Sequence, residues 1–253
     1  MTSSSRRTAR GRGVTIARAL SKAGVASRAE AFRLIRDGAV TVNGATVRAP
    51  GTWVDPRAAR IALRGKPVEP PRHIYLAMHK PCGVLTTRSD ERGRRTVYSL
   101  LPRSLPLVFP VGRLDMDTSG LLLLTNDTQF GERVAGASHG VPKTYLVTLD
   151  RPMEARAAAA IRRGVTLQGG ERCRPARLEP DDRNPRSCRL VITAGKNRQV
   201  RRMFASQGHT VVALRRIAVG GVRLGSMNAG DVRALTDEEV SGLLEEGGPR
   251  GPA

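Results

Sequence analysis

Aromatic side chains are scarce in this chain of 253 residues, which has one Trp, three Tyr and four Phe. A broad base-stacking platform, which spaces several aromatics across a sheet, is therefore unsupported; one well-placed aromatic in a pocket remains compatible. Cysteine is equally thin. Cys82, Cys173 and Cys188 are odd in number and share no C-x-x-C spacing, which argues against a disulfide framework or a zinc site and leaves them as small buried hydrophobes. No apolar stretch approaches the roughly 20 residues that span a bilayer. The basic start, MTSSSRRTARGRG, lacks the apolar core of a secretory signal, so no membrane association and a cytoplasmic location are expected.

Acidic residues are in deficit: 22 Asp and Glu face 43 Lys and Arg, a formal net charge of +21. Chains this basic bind polyanions, because Lys and Arg contacts to phosphate release condensed counterions. The charge is also uneven. Residues 1–13 hold four arginines and no acid, and residues 194–216 hold six basic residues and no acid, whereas the chain from Asp231 onward carries six acids and two arginines. That concentration favours nucleic acid over a merely solvated surface.

The length accommodates a small and a large domain. Residues 1–13 read as a disordered basic arm. From residue 14, Ile16, Leu20 and Ala23 recur at helical spacing up to Gly24, a natural C-terminal stop. Ser27 and Glu30 form an S-x-x-E capping box that starts a second helix, with Ala31, Leu34 and Ile35 inward and Arg28, Arg33 and Arg36 free to meet phosphate. Val40 and Val42 alternate toward Asn43-Gly44, a strong two-residue hairpin signal. Residues 14–63 are thus expected to form a small helix–helix–hairpin domain. RGKPVEPPRH (64–73) is Pro-rich without periodicity and reads as a linker. Beyond it, residues 74–241 predict strands near 74–78, 121–125, 145–149, 188–193 and 210–214, with helices near 153–163 and 197–207. These do not alternate as in a parallel βαβ protein, so an α+β fold with a mixed, mostly antiparallel sheet is expected. Residues 242–253 read as a flexible tail.

The richest stretch is GRLDMDTSGLLLLTND (112–127), where Asp115 and Asp117 occupy a Gly-bounded turn ahead of the apolar run Leu121–Leu124. A carboxylate so placed can act as a nucleophile or bind a cation. An EF-hand loop also begins D-x-D-x-S-G but needs a bidentate carboxylate at its twelfth position, and Asn126 stands there. A magnesium phosphatase uses D-x-D-x-T after an apolar strand, but Gly112 and Arg113 interrupt the preceding stretch. An Asx-type turn, its aspartates bonded to their own backbone, accounts for an isolated loop of this kind.

What accompanies the loop adds a further chemistry. HKPCGVLTT (79–87), FPVGRLDMDTSGLLLLTND (109–127), KTY (143–145), GKNRQVRRMF (195–204) and LRRIAVGGVRLGSMNAGDVRAL (214–235) follow one another in an order that resembles the bacterial rRNA pseudouridine synthases of the RsuA and RluB type. The small N-terminal unit resembles the S4 RNA-binding domain that commonly precedes their catalytic domain. The resemblance implies conversion of a uridine to pseudouridine: the N1–C1′ bond breaks, the base turns in place and rejoins through C5. It implies no metal and no organic cofactor. Asp115 matches the family's catalytic aspartate. Arg201 matches the arginine that keeps that acid ionised, its planar fork suiting a carboxylate, and Tyr145 the tyrosine that lies against the base. Arg113, Lys196, Arg198 and Arg202 are expected to contact RNA. Asp117 is expected to organise the turn, and Gly120 to give backbone freedom as the loop enters its strand. Ribosomal RNA or a subunit assembly intermediate is the implied partner, the large subunit favoured, with the enzyme a monomer.

Two positions depart from the family pattern. Ala194 stands where Glu usually precedes GKNRQVRR, which removes a charge near the site, and His79 stands where Asn often precedes Lys-Pro. His79 and His209 are expected to pack rather than catalyse. Two rival readings stay open on the residues alone: a non-catalytic RNA-binding protein of S4 type, and a phosphatase using Asp115 and Asp117.

Overall fold

The computed structural model describes residues 13–246 apart from 57, 70, 71 and 103. All but the last residue of the expected basic arm, and residues 247–253 of the expected tail, lie outside the described residues. The chain divides into two compact units between His73 and Ile74.

In the first unit β1 (Val14–Thr15) leads into α1 (Ile16–Lys22) and then α2 (Arg28–Arg36). The Ser27 hydroxyl accepts from the Glu30 N–H at 3.2 Å, the expected cap of α2. Ala31, Leu34 and Ile35 face inward, leaving Arg28, Arg33 and Arg36 exposed. Strands β2 (Val40–Val42) and β3 (Ala45–Val47) pair antiparallel around Asn43 and Gly44, whose φ values of 52° and 85° suit the tight hairpin. The short β4 (Trp53–Val54) pairs with β1 and presents Trp53 half-exposed, 51%. Next come β5 (Ile61–Leu63) and β6 (Lys66–Pro67), which complete a sheet of order β3-β2-β5-β6. The expected linker is thus strand over Lys66–Pro67, where edge pairing with β5 tolerates a proline that cannot donate to a neighbour. Ile16, Leu20, Ile35, Val40, Val54 and Ile61 make this unit's own core.

The second unit is built on one large sheet. Its strands are β7 (Tyr75–Lys80), β8 (Phe109–Pro110), β9 (Ser119–Thr125), β10 (Lys143–Leu149), β11 (Arg177–Asp181), β12 (Asn184–Ile192), β13 (Val211–Val219), β14 (Val222–Arg223) and β15 (Val232–Ala234). The order runs β11-β12-β10-β13-β9-β7-β15, with β8 beside β9 and β14 beside β13. Pairing is antiparallel except at β13–β9, which is parallel, so the expected mixed, mostly antiparallel α+β fold is observed. Leu121, Leu122, Leu123 and Leu124 are at most 1% exposed because β9 is covered on both faces, which is why its sequence is a continuous run rather than an alternation. Leu122 and Leu124 join α4 (Ala155–Arg163) and α5 (Gln199–Ala205) in one core, with Ile161, Met203 and Phe204. Leu121 and Leu123 join α3 (Thr128–Ala135) and α6 (Asp237–Glu246) in the other, with Phe130 and Leu243.

Helix α6 corrects the expected boundary at 241: burial of Leu243 at 1% exposure holds the helix together to Glu246. Helix α5 starts two residues later than expected, because Arg198 adopts a left-handed φ of 46°. Cys173 and Cys188 are buried as expected, and burial pushes the Cys188 thiol up to about 11, while Cys82 is exposed. No described helix is long and apolar enough to cross a membrane.

Gly120 controls the parallel junction. It has φ +106° and pairs with Arg216; a Cβ there would lie 2.7 Å from the Arg216 nitrogen and closer still to its carbonyl oxygen. Gly120→Ala is therefore expected to destabilise the second unit by roughly 3 kcal/mol through clash and backbone strain. Calorimetric unfolding checks this: a midpoint within a degree of wild type would refute it.

Candidate active site

The loop from Val111 to Thr118 connects β8 to β9 and is tied to the segment after β7. The Thr86 hydroxyl donates to the Leu114 carbonyl at 2.7 Å and accepts from the Leu114 N–H at 3.3 Å. The Gly83 N–H reaches the Met116 carbonyl at 2.8 Å. Lys80, fully buried, donates its ammonium to the carbonyls of Thr118 at 2.8 Å and Pro81 at 2.9 Å. Burial lowers the Lys80 pKa, and the nearby charges of Asp117 and Asp115 oppose that shift. Asp115 is thereby presented on a braced turn, its side chain one-third exposed (33%).

A cavity of about 380 Å³ opens beside it, within the span of small-ligand sites. Its lining includes Arg113, Asp115, Lys143, Tyr145, Arg198 and Arg216. Tyr145 comes from β10, is 7% exposed and pairs across the sheet with Arg216 of β13. The structure thus brings Asp115 and Tyr145 to one cavity, with the exposed Arg113, Lys196 and Arg198 among its lining residues. Arg201 and Arg202, both on α5, are not among its lining residues, and Arg28, Arg33 and Arg36 belong to the other unit.

The arginines are distributed differently from the expectation. Arg201 donates to the Asp117 carbonyl at 3.0 Å and the Val211 carbonyl at 2.6 Å, and its ion pair, at 3.2 Å, is with the Asp117 carboxylate. Arg198 grips the same carboxylate with both terminal nitrogens, at 3.2 and 3.1 Å, and is also the cation near Asp115, at 3.8 Å. The fork fits a carboxylate bidentately, and the left-handed backbone at Arg198 aims it. Burial raises the Asp117 pKa, but the Arg198 hydrogen bond and the charges of Arg201 and Arg198 outweigh it and hold the acid below its ordinary value. Asp117 is therefore ionised and engaged by arginine on both oxygens. That leaves it poorly suited to sharing a magnesium ion with Asp115, which counts against the phosphatase reading.

Several contributors escaped the sequence reading. Glu171, in the turn between Leu167 and Glu171, pairs with Lys196 at 2.5 Å and Arg202 at 3.0 Å, so an acid brought from elsewhere braces the loop that follows Ala194. Lys80, Lys143 and Arg216 were visible only as cations inside apolar strand patterns (YLAMHK, KTYLVTL, VVALRRIAV), a signal of burial that spacing alone does not turn into a site. His79 packs as expected, its Nδ1 2.8 Å from the Met227 carbonyl, and His209 is buried at 2% exposure.

An acid on a braced turn and a tyrosine in one cavity, with a separate unit that exposes arginines from one helix, define a protein built for chemistry on RNA. Comparison with known proteins agrees. Residues 74–206 match the RNA pseudouridylate synthase family model, and residues 15–58 match the S4 domain model. The chain is 40% identical over 243 residues to an uncharacterised RNA pseudouridine synthase of Mycobacterium bovis, covering 92% of this chain and 94% of the relative. It is 37% identical over 228 residues to ribosomal large subunit pseudouridine synthase B of Bacillus subtilis, covering 88% and 93%. A crystal structure of a pseudouridylate synthase superposes with a TM-score of 0.67 at 32% identity, covering 91% of this chain and 99% of that one. The chain belongs to the RNA pseudouridylate synthase family.

Burial, with the charge of Arg216 beside it, pushes the Lys143 ammonium down to about 8 from an ordinary 10.5. Below pH 8 the folded state carries the full cost of a buried charge. Between pH 8 and 10.5 the unfolded chain holds the proton more tightly, so stability rises with pH. Lys143→Met is accordingly expected to raise stability at pH 7 by on the order of 2 kcal/mol, a gain that shrinks toward pH 10.5. Denaturant titrations at several pH values check the sign; a variant less stable at pH 7 would contradict it.

Proposed function

We propose that this protein converts a specific uridine of ribosomal RNA, in the large subunit, to pseudouridine, with Asp115 as the catalytic carboxylate acting on a nucleotide extruded into the cavity. The observation that carries the reading is the convergence of Asp115 and Tyr145, from elements thirty residues apart in the chain, on one cavity lined by cations. Tyr145 lies against the base and assists loss of the C5 proton. Arg198 and Arg201 hold the turn through Asp117, and Arg198 also approaches Asp115 at 3.8 Å. Extrusion costs a few kcal/mol of stacking, which phosphate contacts from Arg113, Lys196, Arg202 and the first unit offset. The large-subunit assignment is supported by the Bacillus relative's name. The protein acts as a cytoplasmic monomer on rRNA or an assembling subunit.

Tritium release from rRNA labelled at uridine C5 tests the chemistry. Wild type is expected to release tritium in EDTA, and Asp115→Asn to release it at least about 1,000-fold more slowly while binding RNA equally. Firm binding without release by wild type, on free rRNA and on precursor subunits, would favour the non-catalytic RNA-binding reading; mapping the modified base names the target. A second expectation concerns α2. Replacing Arg28, Arg33 and Arg36 together by Gln should flatten the dependence of log affinity on log salt by up to about 3, roughly 0.9 for each duplex phosphate no longer neutralised, with little effect on the saturated rate. An unchanged salt slope would remove these arginines from the RNA-binding surface.

A further inference from the structure

Lys143 and Arg216 are 7% and 5% exposed and line the same cavity as Asp115 and Tyr145. They lie on neighbouring strands β10 and β13, where Tyr145 pairs with Arg216 and Lys143 with Val219. Their hydrogen bonds go to neutral carbonyls: the Lys143 ammonium to Val134 at 3.3 Å, the Arg216 Nε to Leu121 at 2.7 Å. Among the described residues neither has a carboxylate oxygen within 4.0 Å of its charged nitrogens. Two buried cations side by side repel, and each has given up much of its hydration. Buried charges are ordinarily paired. An unmatched pair lining a reaction cavity is therefore set for negative charge that arrives with the substrate or develops during the reaction.

The position selects which charge. Backbone phosphates stay on the RNA strand, where the exposed Arg113 can meet them. What enters the cavity is the base, neutral in both substrate and product. Between those states the N1–C1′ bond breaks and its electron pair remains on uracil, shared by N1, O2 and O4. This holds whether Asp115 forms a bond to C1′ or removes the C2′ proton. The pair is returned when C5 bonds to C1′, as the Asp115–C1′ bond breaks or Asp115 gives the proton back to C2′; C5 then loses its proton and N1 gains one, so the reaction balances as an isomerisation. A charge present only in passage is the kind that fixed cations stabilise without tightening substrate or product binding.

We propose that Lys143 and Arg216 are catalytic residues that stabilise the negative charge of the detached uracil. The proposal rests on the pseudouridine synthase reading of this cavity. The test uses the full chain and an oligoribonucleotide spanning the mapped uridine, which wild type must first convert; failure at that control would fault the functional reading rather than this inference. Single-turnover rates and RNA affinities are then measured for wild type, Lys143→Met and Arg216→Met. Loss of either cation is expected to slow conversion by about 100-fold, the usual effect of deleting one charge-stabilising donor, with RNA affinity within about threefold. The same RNA carrying 5-fluorouridine has no C5 proton to lose, so N1–C1′ cleavage is the step followed there, and its loss should be at least about tenfold smaller, because fluorine already stabilises the departing base. An undiminished rate, an equal loss on both substrates, or a loss confined to affinity would overturn the proposal. Wild type supplies a readout that does not depend on a variant's folding. RNA with an anionic barbiturate ring at the target should bind at least about tenfold more tightly than RNA with pseudouridine there. Equal or weaker binding would overturn it as well.

Discussion

A side chain at position 120 would collide with the backbone of Arg216, and the close approach of β9 to β13 at that point underlies the catalytic unit. It is the parallel seam in an otherwise antiparallel sheet. Because the strands meet there, the turn bearing Asp115, which runs directly into β9, arrives beside the β10–β13 pair that supplies Tyr145, Lys143 and Arg216. The same approach lets Arg216 reach the Leu121 carbonyl at the start of the leucine run. Gly120 thus contributes more than conformational freedom: its missing Cβ leaves the space through which turn and sheet share one cavity. Leu121–Leu124, packed on both faces, fixes the strand so that the seam cannot slide.

The electrostatics divide labour between two aspartates two residues apart. Asp117 takes the fork of Arg198 and the ion pair of Arg201, and this cross-link ties the turn to α5. Asp115 is left with a longer approach from Arg198 and a partly open side chain. A carboxylate saturated with strong hydrogen bonds is a weak nucleophile and a weak base, which fits Asp117 for bracing rather than chemistry. Glu171 performs a similar bracing role on the far side of the loop through Lys196 and Arg202, so the absence of an acid at position 194 does not leave that segment loose.

What could be read from the sequence was whatever local chemistry or an ordered motif determines. The Ser27 cap, the Asn43-Gly44 hairpin and the inward face of α2 depend on residues a few positions apart, and the structure has them as expected. The leucine run announced a strand, and the structure buries it on both faces. Motif order identified Asp115 and Tyr145, which the cavity brings together. The destination of Arg201 was not legible, because a motif says that an arginine is present and not which of two nearby carboxylates it meets. Glu171 and Lys80 were missed for a related reason: Lys196 lies 25 residues from Glu171 and Thr118 lies 38 from Lys80, and only the fold brings them close. The strand at Lys66–Pro67 was hidden by proline-rich composition, which spacing cannot separate from a linker.

The tryptophan at position 53 lends the molecule an optical asymmetry. The chain has one such residue, it lies in the smaller unit, and it is about half open to solvent. The larger unit holds only the chain's three tyrosines, Tyr75, Tyr98 and Tyr145, as longer-wavelength absorbers. Indole emission is therefore a private signal of the smaller unit. Its colour and quenching follow that unit's unfolding, or its meeting with a polynucleotide, without any label and without contribution from the body that carries the chemistry.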